Sequence, residues 1–424
     1  MLKIIKYPLR KDWDEIITRP EMDHSYLFDD VKKILDDVRL NGDRAVRACC
    51  EKFDRVVLNQ FEVSQDEMNE AQRLVPKELK AAIRLAATNI ETFHRSQIMV
   101  SQKIETTQGV TCWQRAVAIK KVGLYIPGGT APLFSTVLML AIPAHIAGCS
   151  EIILCSPPAK DGTIHPAILY SAGLAGVSRI FKIGGAQAIA AMAYGTETVP
   201  RVYKIFGPGN QYVTAAKQLA ALRDVAIDMP AGPSEVEVIA DETANPAFVA
   251  ADLLSQAEHG ADSQVILVTA YEAIIDPVIA EIKRQSVELP RKELAARALE
   301  HSRIIVLKNH HEVMDFTNAY APEHLIIQTK DYAALAEQVI HAGSVFLGHF
   351  TPESAGDYAS GTNHTLPTNG YARMYSGVNL DSFVKKITFQ EITSSGLHSI
   401  GPAIETMAQA ESLHAHSNAV HLRM

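Results

Sequence analysis

The chain has 424 residues, 47% of them hydrophobic and 21% charged, and its 40 basic and 48 acidic side chains leave a formal charge of −8. That length allows two or three domains, each able to bury its own core. A mildly acidic surface without blocks of like charge excludes nucleic acid as the main partner, because phosphate binding needs a concentrated basic face. The opening MLKIIKYPLRKDWDE has no apolar core of a secretory signal, and the longest apolar stretch, Val137 to Ala147, is short for a bilayer and holds Pro143 and His145. Five cysteines without CxxC spacing fit a reducing compartment better than a disulfide framework. The expectation is a soluble, cytoplasmic, enzyme-sized protein with no membrane partner.

In chain order, the first hundred residues read as helical. Ser64 and Glu67 stand at capping-box spacing, and Pro76 suits the first turn of a helix with Leu79, Ile83, Ile90 and Phe93 on one side. From Lys121 short β-rich runs alternate with helical ones. KVGLYI leads into PGGTAP and an apolar helix to Gly148; EIILCS, RIFKI and VYKIF follow, each ahead of a helix. Such alternation implies parallel βαβ units covered on both faces. DMPAGPSE, Asp228 to Glu235, reads as a crossover between domains. Beyond it EVEVIA, QVILVT, RIIVL, LIIQT and SVFLG form a second α/β unit, and after Thr368 helical pieces and a His-bearing tail close the chain.

Three glycine turns follow strands: Gly128-Gly129, Gly184-Gly185 and Gly207-Pro208-Gly209-Asn210. Beyond the carboxyl ends of strands, glycines allow close approach and helix N-termini favour phosphate. None is a GxGxxG fingerprint, so together they point to a nucleotide without identifying it. Asn245-Pro246 starts a helix that Gly260 stops, which puts Gln256 and His259 on one face of its last turn, able to share a cation. Asp357, His364, His414, His416 and His421 are further candidate ligands, and spacing does not choose among the histidines. Nitrogen and oxygen donors without thiolate suit zinc. Glu323 and His324 stand side by side ahead of a strand, where Pro322 allows a loop from which both side chains reach one ligand. His is the natural base near neutral pH and a desolvated Glu can activate water. A thiol route is set aside, since Cys155 lies in an apolar run, Cys149 at a helix end whose dipole opposes a thiolate, and Cys112 beside Trp113.

Taken together, VGLYIPGG, FSTVLMLAIPA, GGAQAIAA, KIFGPGN, DMPAGPSEV, DLLSQAEHG, PEHLIIQT, ESAGDYASGTNH and AHSNAV resemble, in order, the histidinol dehydrogenase family over nearly the whole chain. The resemblance implies an α/β fold of two incomplete Rossmann-like parallel-sheet domains, with a helical N-terminal region and a C-terminal helical tail. The expected division is an extension at 1–20, a first α/β domain from 21–120 with 235–375 carrying the metal and catalytic residues, a second at 121–234 on the NAD side, and a dimer-crossing segment at 376–424. It implies zinc on Gln256, His259, Asp357 and His416, these residues also binding substrate together with Ser234, His324, His364 and Glu411. Tyr125, Gln187 and Asn210 would contact NAD. His324 would take the alcohol proton, and Glu323 would activate water for a second oxidation, so that L-histidinol passes through its aldehyde to L-histidine. A homodimer with shared active sites is implied as well. The competing expectation is a related zinc- and NAD-dependent enzyme for another amino alcohol or diol, which Glu411, suited to a cationic substrate group, disfavours.

Overall fold

The computed structural model describes residues 2–20, 25–128, 131–229 and 232–424; Gly129 of the first glycine turn and Pro230 and Ala231 of DMPAGPSE lie outside the described residues. The chain opens on β1 (Lys3–Lys6), followed by helices Phe28–Cys49, Gln65–Leu74 and Lys77–Arg95. The expected capping box is present: Glu67 N–H donates to Ser64 Oγ (3.2 Å) and Ser64 N–H donates to Glu67 Oε2 (2.8 Å). Pro76 precedes the third helix, which buries Ile83, Ala86, Ile90 and His94. Phe93 faces outward, because the 3.6-residue period carries the stripe from Ile90 to His94.

β2 (Ile104–Thr107) and β3 (Val110–Ala118) form a hairpin. Next come β4 (Lys121–Tyr125), β5 (Glu151–Ser156), β6 (Arg179–Lys182), β7 (Lys204–Phe206) and β8 (Ala226–Ile227), a parallel sheet in the order β6-β5-β4-β7-β8. β9 (Glu235–Ala240), β10 (Gln264–Thr269), β11 (Arg303–Val306), β12 (His324–Gln328) and β13 (Ser344–Leu347) join β1 in a second parallel sheet, β1-β11-β10-β9-β12-β13. β9 and β10 are buried along their whole length, as strands covered on both faces must be. β14 (Val384–Ile392) pairs antiparallel with β3 to complete a third sheet, β14-β3-β2, and helices Ser394–Ala410 and His414–His421 end the chain, packed on each other. The described residues contain no helix long and apolar enough to cross a membrane.

The two parallel sheets and nine of their strands fall where the alternation puts them. Three expectations change. The N-terminal region is not wholly helical: β1 pairs with β11, and Trp13 and Ile16 sit in one core with Ile266 and Phe316, so 1–20 is part of the six-stranded unit. Helices of the 21–120 region pack on the other sheet from the one expected. Val31, Leu35 and Val38 share a core with Ile153, Phe181 and Met192, while Ile83 and Ile90 share one with Leu138 and Leu154. An amphipathic stripe demands burial but does not name the surface that supplies it. After Thr368 the chain is not only helical, because VKKITFQEI forms β14 against β3.

Candidate active site

The amino ends of β9 and β12, neighbours in the six-stranded sheet, bring Glu235, Glu323 and His324 together. Glu323 and His324 are both buried, on the turn after helix His310–Tyr320 and on the first residue of β12. Glu235 N–H donates to Glu323 Oε2 (2.9 Å), and His324 Nδ1 lies 3.2 Å from the Glu235 carbonyl, a bond that makes Nδ1 the donor. His324 Nδ1 is 3.5 Å from Glu323 Oε2, and His324 Nε2, buried without a hydrogen-bond partner, is 3.7 Å from Asp357 Oδ1. Helix Pro246–Ala257, capped by Asn245 as expected, delivers Gln256 from its last turn and His259 just beyond. Gln256 satisfies both ends of its amide when Nε2 donates to Glu353 Oε1 (2.5 Å) and Oε1 accepts from Glu235 N–H (3.0 Å). His259, Glu353 and Asp357 place one ligand atom each within 4.8 Å of one another.

The charges here are strongly perturbed. Burial pushes the Glu323 carboxyl up and the Glu353 carboxyl up to about 8. Burial opposes charge on His324, but the Glu323, Glu353 and Asp357 carboxylates outweigh it and hold the imidazolium well above the usual range. Asp357 resists the same burial and stays below the ordinary carboxylate range through His324, His364 and His259. Burial holds the His364 imidazole low, and desolvation by the crowded surrounding groups holds His259 low although its residue surface is exposed. This crowding of imidazoles and reluctant carboxylates suits proton transfer and a cation.

At the carboxyl ends of the five-stranded sheet lies a cavity of about 1020 Å³, and Tyr125, Gln187 and Asn210 all line it, with Gly128 and Gly185. Gly185 N–H donates to Tyr125 Oη (3.0 Å), and Gln187 Nε2 donates to Asp54 Oδ2 (3.3 Å). Asn210 caps helix Gln211–Ala221, accepting from Tyr212 N–H (3.1 Å) and Val213 N–H (3.2 Å). Gly207 needs its glycine: its φ is +123°, and a side chain there would run into the Tyr125 carbonyl. A buried Lys217–Asp228 pair (2.5 Å) fixes this turn, Lys217 donating to Gly207 O (2.9 Å) and Gly207 N–H donating to Asp228 (2.8 Å).

The structure therefore brings Glu323, His324, Gln256, His259, Asp357 and His364 into one cluster and the three nucleotide candidates into another. His364 Nδ1 lies 2.9 Å from the Asp357 carbonyl oxygen, and its Nε2 lies 3.1 Å from Thr136 Oγ1. Ser234 precedes β9 and accepts Gln264 N–H (3.1 Å) through its carbonyl. Glu411 and His416 stand apart, exposed on the terminal helical pair. Sequence reasoning missed Glu353, although ESAGD sets it four residues before Asp357, on one face of helix Glu353–Tyr358. It also missed Thr136, for which no sequence signal existed. The free cysteines are removed from this chemistry: Cys49, Cys50, Cys149 and Cys155 are buried, burial pushing the first three thiols up to about 11, 12 and 12.

The family model for histidinol dehydrogenase matches residues 17–424. Histidinol dehydrogenase of Bacteroides fragilis (strain YCH46) is 65% identical over 423 residues, covering 100% of this chain and 99% of that protein. The chloroplastic histidinol dehydrogenase of Arabidopsis thaliana is 52% identical over 97% of this chain and 88% of its own length. The crystal structure of histidinol dehydrogenase from Elizabethkingia anophelis superposes with a TM-score of 0.98 at 56% identity, over 100% of this chain and 98% of that one. The chain belongs to the histidinol dehydrogenase family and is an oxidoreductase.

Proposed function

We propose that this chain, as a member of that family, oxidises L-histidinol to L-histidine in two successive NAD-dependent steps, in the cytoplasm, as part of histidine biosynthesis. One observation carries the reading: a single helix and the segment leading into it connect the acid–base cluster to the cavity. His364 meets Thr136 on helix Phe134–Ala147, and Pro127, Gly128, Ala131 and Pro132, on the way into that helix, line the cavity. In this reading a substrate held at the cluster passes its hydride to NAD in that cavity, where Tyr125, Gln187 and Asn210 would hold it.

In the first step His324 takes the alcohol proton through Nε2 as hydride passes from the carbinol carbon to NAD, giving the aldehyde, NADH and a proton. In the second, Glu323 removes a proton from water as its oxygen adds to the aldehyde carbon. The hydrate then gives a hydroxyl proton to His324 as its second hydride passes to a second NAD, and the resulting acid releases its remaining proton and leaves as the carboxylate. Ser234 and His364, with Glu411 of a second copy, would bind the substrate.

Gln256, His259 and Asp357, with His416 of a second copy, would hold zinc. The donor set fits: an amide oxygen, imidazoles and carboxylate without thiolate, beside Glu353, whose burial makes it a poor anion until a cation is near. Bound zinc would orient the substrate's imidazole and amino nitrogens and neutralise the carboxylates that crowd His324, favouring its neutral, basic form. The exposed terminal helices are in keeping with a homodimer in which each tail completes its partner's site. NADH formed per histidinol consumed tests the reaction. Two is expected; a stable ratio of one with the aldehyde accumulating would break the two-step reading.

A further inference from the structure

We propose that Arg19 is a positioning residue for the acid–base pair, tying the start of β9 to the turn ahead of β12 and so setting the geometry at which Glu323 and His324 meet substrate. This rests on the assignment of that pair above. Arg19 lies in the segment expected to be a mere N-terminal extension, yet its side chain is only 10% exposed. Its Nε donates to Glu235 Oε2 (2.6 Å) and its Nη2 to Glu235 Oε1 (3.1 Å), a two-pronged grip on a carboxylate. The same Nη2 donates to the carbonyls of Tyr320 (2.7 Å) and Ala321 (3.3 Å), and the guanidinium lies 3.9 Å from the centre of the Tyr320 ring.

Both gripped segments lead straight to the pair. The peptide groups of Glu235 orient both members: its N–H holds Glu323 Oε2 and its carbonyl accepts from His324 Nδ1, which leaves Nε2 turned to the site. On the other side Ala321 has φ +55°, a left-handed conformation that a β-carbon disfavours, and Glu323 follows two residues later. A strained turn keeps its shape only where its surroundings impose it, and Arg19 is bonded to its carbonyls. One guanidinium thus fixes the donor–acceptor frame and the backbone that presents the pair. Lysine offers a point charge in place of the planar fork, so it can pair with Glu235 without spanning to both carbonyls.

The experiment uses the zinc-loaded full-length enzyme. Arg19→Met should lower kcat by about 10- to 100-fold, as a small misplacement of reacting groups does, with KM for histidinol changed by less than about threefold. Arg19→Lys should fall between Arg19→Met and the wild type while keeping the wild-type melting midpoint. Combined with Glu323→Gln, Arg19→Met should cost clearly less than it does alone, because the group it orients is already gone. Losses that multiply would mark general damage and overturn the proposal, as would wild-type kcat in folded Arg19→Met. Should Arg19→Met fail to fold, Arg19→Lys decides: wild-type kcat there overturns the proposal, and reduced kcat with unchanged KM and midpoint supports it. Full activity in both Glu323→Gln and His324→Asn would instead remove the assigned pair, whatever Arg19 does.

Discussion

The five-stranded sheet opens its carboxyl edge onto the large cavity, whereas the six-stranded sheet gathers Glu323, His324 and Ser234 at its amino edge. Both are parallel sheets covered by helices, so the architecture is alike and the choice of edge differs. At a carboxyl edge strands feed helix N-termini, whose free N–H groups and glycine turns leave room for phosphate. At an amino edge helices arrive by their C-terminal ends, as Pro246–Ala257 does with Gln256, and those ends carry carbonyls and negative potential. One edge is thereby suited to an anionic nucleotide, and the other to a cation and protonatable rings. On the proposed reading, the same sheet type would serve cofactor or chemistry according to the end that is used.

This partition can be broken most directly by removing metal. Exhaustive chelation should abolish activity at the amino edge and added Zn²⁺ should restore it; full turnover in protein shown metal-free by elemental analysis would refute it. Next in size, His324→Asn should slow both oxidations by about 10²-fold or more, while Glu323→Gln should slow aldehyde oxidation more than alcohol oxidation. Equal losses of the two steps in Glu323→Gln would end the division of labour. At the other edge, Gln187→Ala should raise KM for NAD by roughly 10-fold, the worth of a hydrogen bond, and leave that for histidinol near its original value. A rise confined to histidinol KM would show that the cavity is not the nucleotide's. The smallest effect concerns the tail. His259→Asn and His416→Asn chains, each inactive, should recover roughly a quarter of wild-type activity after unfolding together and random reassociation. No recovery, with heterodimers demonstrated, would show that each site is built from one chain.

Much of this division was legible in the residues. Alternating apolar and turn segments located both sheets, and the glycine turns marked the cavity, because these are local signals. The start of the helix at Asn245 and the place of Gln256 in its last turn were readable, but the helix stops at Ala257 rather than at Gly260, so His259 lies in the turn beyond it and not on the same helical face. What could not be read depends on distant partners. KIIK becomes β1 only because RIIV lies beside it three hundred residues later, and VKKITFQEI becomes β14 on β3. No local pattern marks out Arg19 or Glu353; each is defined by what buries it.

The distribution of cysteines gives the contrast between the two halves a practical use. All five lie between residues 49 and 155, Cys49, Cys50, Cys149 and Cys155 on elements and turns packed around the five-stranded sheet and Cys112 on β3, and β1 and β9–β13 carry none. Four are buried, so an alkylating reagent reaches them only when their surroundings open. Native-state labelling of the four buried thiols, after the half-buried Cys112 has reacted, is therefore a clock for the breathing of the five-stranded half. Repeating it with NAD, and then with zinc and histidinol, would time how far order imposed at one sheet is felt in the other, with no engineered probe.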